Sequence, residues 1–459
     1  MERRNSQFTT RRALWVGAFG LLVCAAAVAQ EAPGKSTTAE PPVAPATEPA
    51  PAPAPEASTA KDDFWTRKQL TGDWGGARKE LLDAGVNYSF LLGTMSQVNM
   101  RGGVNTRNAH ETGGRAFHII ELDLEKMGLV PGGSIFIRGL QTFNSGIQSD
   151  VGSLSPPYYA LGSSGDQEIL LDKYWYRQRM FDDRLEFRLG KLLNFTDLFD
   201  KNAYAESYMS SFMNRALNYN QTLPATLGLG AFVKVWPTNW LYAQAAAIDP
   251  DKDNDYNRRG TGGWHSAFHD SAHFRGFWEV GVLPQYIVKE ALPGKWSLGW
   301  WYDASVKSEF RNTFGGLFST RARNNDVGFY VNIEQMVWKE NADPKDKQGL
   351  GVFARYGYAH EEVNRISDFW SVGAVYKGLI PERDKDQVGF GVAQSIMSDR
   401  YQREINPRAD RETVYELYYA YEVTPWLVIT PDLQVITNPG GNNDARDAWL
   451  GGVRVKLVF

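Results

Sequence analysis

The first residues to test for chemistry are three histidines in the stretch HSAFHDSAH: His265, His269 and His273. At four-residue intervals a helix would set the imidazoles on one face, as a zinc site requires. On irregular chain the interval brings nothing together, and a loop is the expected setting, so no metal is expected. The acidic run DPDKDND at 249–255 has the outline of a calcium loop, yet Tyr256 stands where the turn glycine belongs and Gly262 where the closing glutamate belongs. HEEVN at 360–364 lacks the second histidine of a metalloprotease helix, and no Gly-x-Ser-x-Gly nucleophile elbow occurs. Cys24 is the only cysteine, which removes thiolate sites and disulfides from consideration. Neither an enzyme nor a cofactor is expected. Paired carboxylates among many aromatics could suggest a secreted glycosidase, but such an enzyme has no use for the pattern that holds those carboxylates.

That pattern is alternation. In ETVYELYYAY, Thr413, Tyr415, Leu417, Tyr419 and Tyr421 share one face while Glu412 and Glu416 take the other; in ITPDLQVI, Ile429, Leu433 and Val435 oppose Asp432 and Gln434. A two-residue period of this kind turns one strand face to lipid and the other to water. Applied along the chain, it nominates Arg115, Glu121, Asp123, Arg138, Glu186, Arg188, Arg275, Glu279, Trp301, Asp303, Glu334, Arg355, Glu412, Glu416, Asp432 and Gln434 as facing a water-filled interior. For most of them the plain role is to solvate or brace a wall.

The elements that must position these residues are strands. Segments at 87–100, 115–126, 133–144, 168–180, 184–193, 228–236, 239–248, 274–286, 295–308, 326–338, 348–360, 367–377, 386–397, 411–422, 425–437 and 447–459 alternate in this way. The expected fold is all-β, a sixteen-stranded antiparallel transmembrane barrel, because an even count keeps both ends on one side and closure leaves no edge in lipid. Early connections alternate between tight and generous, later ones (339–347, 361–366) less cleanly; 194–227, very long, is the best candidate to fold inward and narrow the channel, with Asp197, Asp200, Tyr204, Tyr208, Arg215 and Tyr219 available, although an external loop would carry the same composition. Trp236, Trp240, Trp296, Trp426 and Trp449 near strand ends suit interfacial girdles. The last strand carries Val453, Val455, Leu457 and Phe459 outward and Arg454 and Lys456 inward, and is expected to pair with the first.

Composition agrees. Aromatics make up 13% of the chain and glycines number 44, while mean hydropathy is only -0.40, as suits strands with one wet face. No eighteen-residue apolar run follows the N-terminus, which excludes helical spans, and a net charge of -4 argues against nucleic acid. Residues 1–29 read as a signal peptide: Arg3, Arg4, Arg11 and Arg12 precede an apolar run, then Ala27-Val28-Ala29. Residues 30–62 form a Pro/Ala-rich tether too poor in apolar residues to pack. Residues 63–86 hold one short periplasmic helix with Asp73 as N-cap and Gly85 as its stop, and 87–459 form the barrel.

The run DFWTRKQLTGDWGGARKELLDAGV closely resembles the opening of OprB-type carbohydrate-selective porins, and similar matches occur at FRLGKLLNFTDLF (187–199), FRGFWEVGVLPQY (274–286) and ETVYELYYAYEVTPWLVITPDLQVITNPGG (412–441). Together they span nearly everything from residue 63 onward, leaving the tether outside. The resemblance implies an outer-membrane channel of a Gram-negative bacterium, N-terminus periplasmic, passing monosaccharides such as glucose and other small polar solutes by facilitated diffusion. Such a pore needs carboxylates and guanidinium groups for hydroxyls and aromatic rings for the C–H faces of sugars, with binding weak enough to permit exit. Two rivals stand beside it: a non-selective or anion-preferring general porin, and a structural outer-membrane protein tethered to the cell wall. Outer-membrane lipid is the expected environment. Outward apolar residues fit lipid and a second copy of the chain equally well, which leaves a homo-oligomer open.

Overall fold

The computed structural model describes residues 63–158, 169–195, 197–205, 209–250, 274–310, 321–343 and 346–459. Strands dominate, and they close: β1 (Val86–Arg101), β2 (His110–Asp123), β3 (Gly133–Phe143), β4 (Leu170–Met180), β5 (Leu185–Leu193), β6 (Leu227–Val235), β7 (Leu241–Ile248), β8 (Arg275–Val282), β9 (Gly294–Asp303), β10 (Asp326–Lys339), β11 (Gly349–Ala359), β12 (Ile366–Lys377), β13 (Gln387–Met397), β14 (Arg411–Thr424), β15 (Leu427–Thr437) and β16 (Ala448–Val458) form one antiparallel barrel in chain order. The seam is the pairing of β16 with β1, which runs from Leu91 opposite Val458 to Arg101 opposite Trp449. Phe459 finishes it, donating its N–H to Phe90 O at 2.9 Å and setting its ring 4.9 Å from that of Phe90.

Three strands depart from the sequence expectation for identifiable reasons. Expected over 274–286, β8 stops at Val282, because Pro284 has no N–H to extend the ladder and opens a 3-10 turn, Pro284–Tyr286. The expected 295–308 strand ends at Asp303, and Lys307–Ser308 pairs instead with Ala322–Arg323 in a separate two-stranded ribbon. β2 begins earlier than residue 115, at His110, so that it pairs with β1 from Val86 to Val98.

The chain enters through a short helix, α1 (Ala77–Asp83). Its N-cap is Gly76, in the left-handed region, and not Asp73, which precedes a 3-10 turn over Trp74–Gly76 and makes no side-chain cap. Gly85 does stop the helix: its φ is +86°, and a Cβ there would lie 2.7 Å from Asp123 O, so only glycine lets the chain pass this close to β2. The segment is fastened to the barrel end by Leu70 N–H to Val458 O (2.7 Å) and by Trp426 Nε1–H to Phe64 O (2.9 Å). Trp426 is therefore buried beneath Phe64 and takes no place in a lipid girdle.

Strand alternation sorts the faces. Tyr415, Leu417, Leu433, Trp449 and Val453 are exposed on the outside, as are Trp278 and Trp300, whose rings stack 6.3 Å apart. A belt this apolar around a closed cylinder belongs in lipid. The inner face is not empty. The 194–226 connection, including α2 (Arg215–Asn218), turns into the barrel, and Phe199, Phe212, Leu217 and Tyr219 from it are buried with strand residues such as Phe277, Trp301, Phe353 and Tyr418. The expected signal, tether and histidine cluster lie outside the described residues, as does most of the 249–255 acidic run.

Candidate functional site

Inward direction follows from register. Glu279 on β8 faces Gly299 on β9, Gly299 faces Tyr330 on β10, and Tyr330 faces Gly357 on β11, one cross-strand row on the inner surface. Glu416, Gln434 and Leu450 make the corresponding row across β14, β15 and β16. By the same pairing all the residues nominated from alternation point inward, but the inward loop divides them into two groups with different roles.

One group anchors the loop. Glu279 accepts from Tyr330 Oη (2.6 Å), Tyr242 Oη (2.8 Å), Gln244 (3.0 Å) and the Asp200 N–H (3.1 Å). Asp200 in turn accepts from Asn332 (2.8 Å), the Asn220 N–H (2.7 Å) and Arg355 Nε (3.2 Å). Arg355 also donates to Leu217 O (2.9 Å) and Ala205 O (2.8 Å), so one guanidinium holds three points of the loop. Further round, Glu416 accepts the N–H groups of Met213 and Asn214, Arg454 donates to Ser211 O (2.8 Å), and Glu334 accepts the Ala203 N–H (2.6 Å).

A second inward segment, 147–158, with Gln148–Val151 as its one helical turn, has no precedent in the sequence reading. Glu412 accepts its Leu154 N–H at 2.7 Å, and Gln434 and Gln97 donate to Pro157 O. Trp301, Asp303 and Asp432 are likewise buried, and Arg275 binds Asp303 at 2.8 Å. Trp301 is thus packing beneath the loop and offers no free ring face. Of the loop candidates, Asp197 pairs with Lys173, Tyr219 is buried beside Phe195, Arg215 lies 4.9 Å over the Tyr219 ring, and Tyr204 fills the space above Gly351. Tyr208 lies outside the described residues.

The other group lines what the loops leave open, the inner wall from β2 to β6. Arg115, Glu121, Asp123, Arg138 and Glu186 keep part of their surface exposed there. They stand with residues that alternation along DKYWYRQRM could have supplied but that were not nominated: Arg177 and Arg179 on β4 and Lys234 on β6 are partly exposed, while Lys173 and Trp175 on β4 point inward but are buried. Arg188 is buried just behind this wall and braces it. Its guanidinium sits 4.6 Å from the Trp175 ring and 5.6 Å from Phe232, and its Nε donates to Glu186 at 2.7 Å. Trp175 itself is stacked on Phe136 at 4.8 Å. The rings therefore back the cations and orient them.

A bulge completes the wall. Between Arg138 and Gly139 the register with β4 slips, so Asp172 and Lys173 both serve the interior. Asp172, buried, receives Arg138 Nε at 2.6 Å, while the neighbouring Lys173 holds Asp197 of the inward loop. One irregularity thus links the open wall to the loop. Nothing in a period-two reading marks it.

The model of the carbohydrate-selective porin family OprB matches residues 107–459. Porin B of Pseudomonas aeruginosa is 25% identical over 436 residues, covering 85% of this chain and 91% of that protein. The high-pH structure of OprB from Pseudomonas putida superposes with a TM-score of 0.74 at 23% identity, covering 86% of this chain and all of that one; its low-pH structure gives 0.52 at 20% identity, with 86% and 99% covered. A family match over most of the chain, on a closed sixteen-stranded barrel with a polar inner wall, means that the chain belongs to the OprB family of carbohydrate-selective porins of the Gram-negative outer membrane.

Proposed function

We propose that the channel passes monosaccharides such as glucose, and other small polar solutes, by facilitated diffusion along the β2–β6 wall. The observation that supports this is the division of the interior: the inward loop buries the polar groups from β8 round to β16 and leaves a strip where Arg138, Arg177 and Glu186 stay partly exposed, held by Asp172, the Trp175 ring and the buried Arg188. Fixed guanidinium donors beside carboxylate acceptors match the vicinal hydroxyls of a sugar, and their orientation before the solute arrives spares part of the ordering cost. Contacts of this kind, wet and few, release a sugar as readily as they take it up. A second reading, an anion-preferring porin, is favoured by the excess of cations on the wall, where the partly exposed Arg115, Arg138, Arg177, Arg179 and Lys234 outnumber Glu121, Asp123 and Glu186.

Planar-bilayer recording separates the two. Glucose should block the open channel saturably, and Arg138→Ala combined with Asp172→Asn should weaken that block about tenfold, the loss of one charge-assisted contact. The second substitution is needed because Arg138→Ala alone strands a buried carboxylate, at about 3–5 kcal/mol of stability. Wild-type channels indifferent to every sugar would end the selective reading, and a strong anion reversal potential in those channels would support the second.

A further inference from the structure

The periplasmic mouth contains a cavity separate from the inward loop. Its volume is about 410 Å³, and it lies between the end of α1 and the inner wall, bounded by Gly85, Glu121, Asp123, Ser134, Trp175 and Arg177 among others. All of it is at the end that carries the chain's entry and the short turns: Leu82 belongs to α1, Val86 opens β1, Glu125, Lys126 and Gly132 belong to the β2–β3 turn, and Asp183 to the β4–β5 turn. Trp175 and Arg177 border both this cavity and the β2–β6 wall.

We propose that this vestibule is a second sugar site, an exit site that holds one neutral, hexose-sized sugar before release to the periplasm. The inference rests on the sugar-channel reading above and deepens it. Three observations point to the ligand class. The volume sits at the lower end of the roughly 300–1,000 Å³ typical of small-molecule sites, room for one ring and not for an extended oligosaccharide. The lining mixes acceptors, Glu121, Asp123, Glu125 and Asp183, with donors, Lys126, Arg177 and Arg179, and the signs nearly cancel. The rest of the open wall, with Arg115, Arg138 and Lys234 against Glu186, is cation-rich, so a solute that meets balanced charge here is selected for hydroxyls and not for net charge. Apolar surface from Leu82, Val86, Leu122, Ile135 and Trp175 completes the amphipathic lining a pyranose needs.

The site is also built. Asp123 accepts the Lys126 N–H at 3.1 Å and Glu125 accepts the Gly132 N–H at 2.9 Å, fixing the turn. Asn87 donates to Glu121 (3.3 Å) across β1 and β2, and Arg177 Nε donates to Ser134 (3.0 Å) across β3 and β4. The Asp123 N–H donates to Gly85 O at 2.8 Å, so the entering segment closes the remaining side. Four strands and two turns converge on one concavity.

The test is single-channel recording with glucose added to one side at a time. Two kinetically distinct populations of block are expected, one favoured by glucose on the periplasmic side. Glu121→Gln with Asp123→Asn should weaken that population about fivefold to tenfold, while Arg138→Ala with Asp172→Asn should weaken the other. Should the acidic double variant fail to insert, Ser134→Phe fills the cavity from a different strand and should abolish the same population. A single population, removed by the Arg138/Asp172 variant and untouched by both vestibule variants, would overturn the exit site and leave the sugar channel standing. No block from either side in the wild type would overturn both.

Discussion

Asp386 shows how one carboxylate can close a turn. It sits in the 378–386 connection, outside the spanning strands, and accepts from Arg383 Nε (2.8 Å) and Nη2 (2.7 Å), from the Tyr419 hydroxyl (2.5 Å) and from the Glu422 N–H (2.9 Å). Burial by itself would raise its pKa, but the bonds from Arg383, Tyr419 and Glu422 outweigh this and hold it below the ordinary carboxylate value. A group lowered on folding stabilises fully above the unfolded value, about 3.9, and that contribution fades as pH falls through the folded value. Thermal unfolding in detergent at pH 7 and pH 3 should therefore show Asp386→Asn less stable than wild type at pH 7 and the gap closing at pH 3. An equal gap at both values would mean the carboxylate's charge is irrelevant.

Among the elements, the 194–226 loop decides which inner residues meet solute. Arg355 holds its backbone at Leu217 and Ala205 and its carboxylate at Asp200. Arg355→Ala should free the loop, and single-channel current should become larger and noisier, with glucose block weakened. Unchanged conductance would show that the hydrophobic packing of Phe199, Phe212 and Leu217 alone keeps the loop in place. This division was the least legible part of the sequence. Alternation places Glu186 and Glu416 on the same face, and no local pattern tells that Glu416 binds a loop two hundred residues away while Glu186 stays partly open. Strand number, order and face were legible because each rests on a two-residue period within one segment. The β4 bulge at Asp172 and the cap at Gly76 were not, since both depend on what another strand or the backbone angle demands.

On the scale of the whole molecule, the barrel and its entering segment form one body, with Leu70 and Phe64 fastened at the end of the seam. Residues 30–61 precede that fastening in sequence. We propose that they act as a spacer to the cell wall or a partner, apart from transport. Deleting them should leave sugar flux through reconstituted channels unchanged, and envelope integrity under detergent stress should fall if anchoring is their task. Loss of flux in the deletion would instead tie the tether to the channel.

The inward loop has one more effect. A wide cylinder of strands is soft against flattening, because each strand pair can hinge a little about its neighbours. Here Asp200 reaches β10 and β11, Glu279 meets the loop from β8, Glu416 from β14 and Arg454 from β16. The loop is thus a cross-brace spanning the section from within, and lateral pressure from the bilayer is carried through it as compression, so the aperture keeps its width when the surrounding lipids squeeze or stretch.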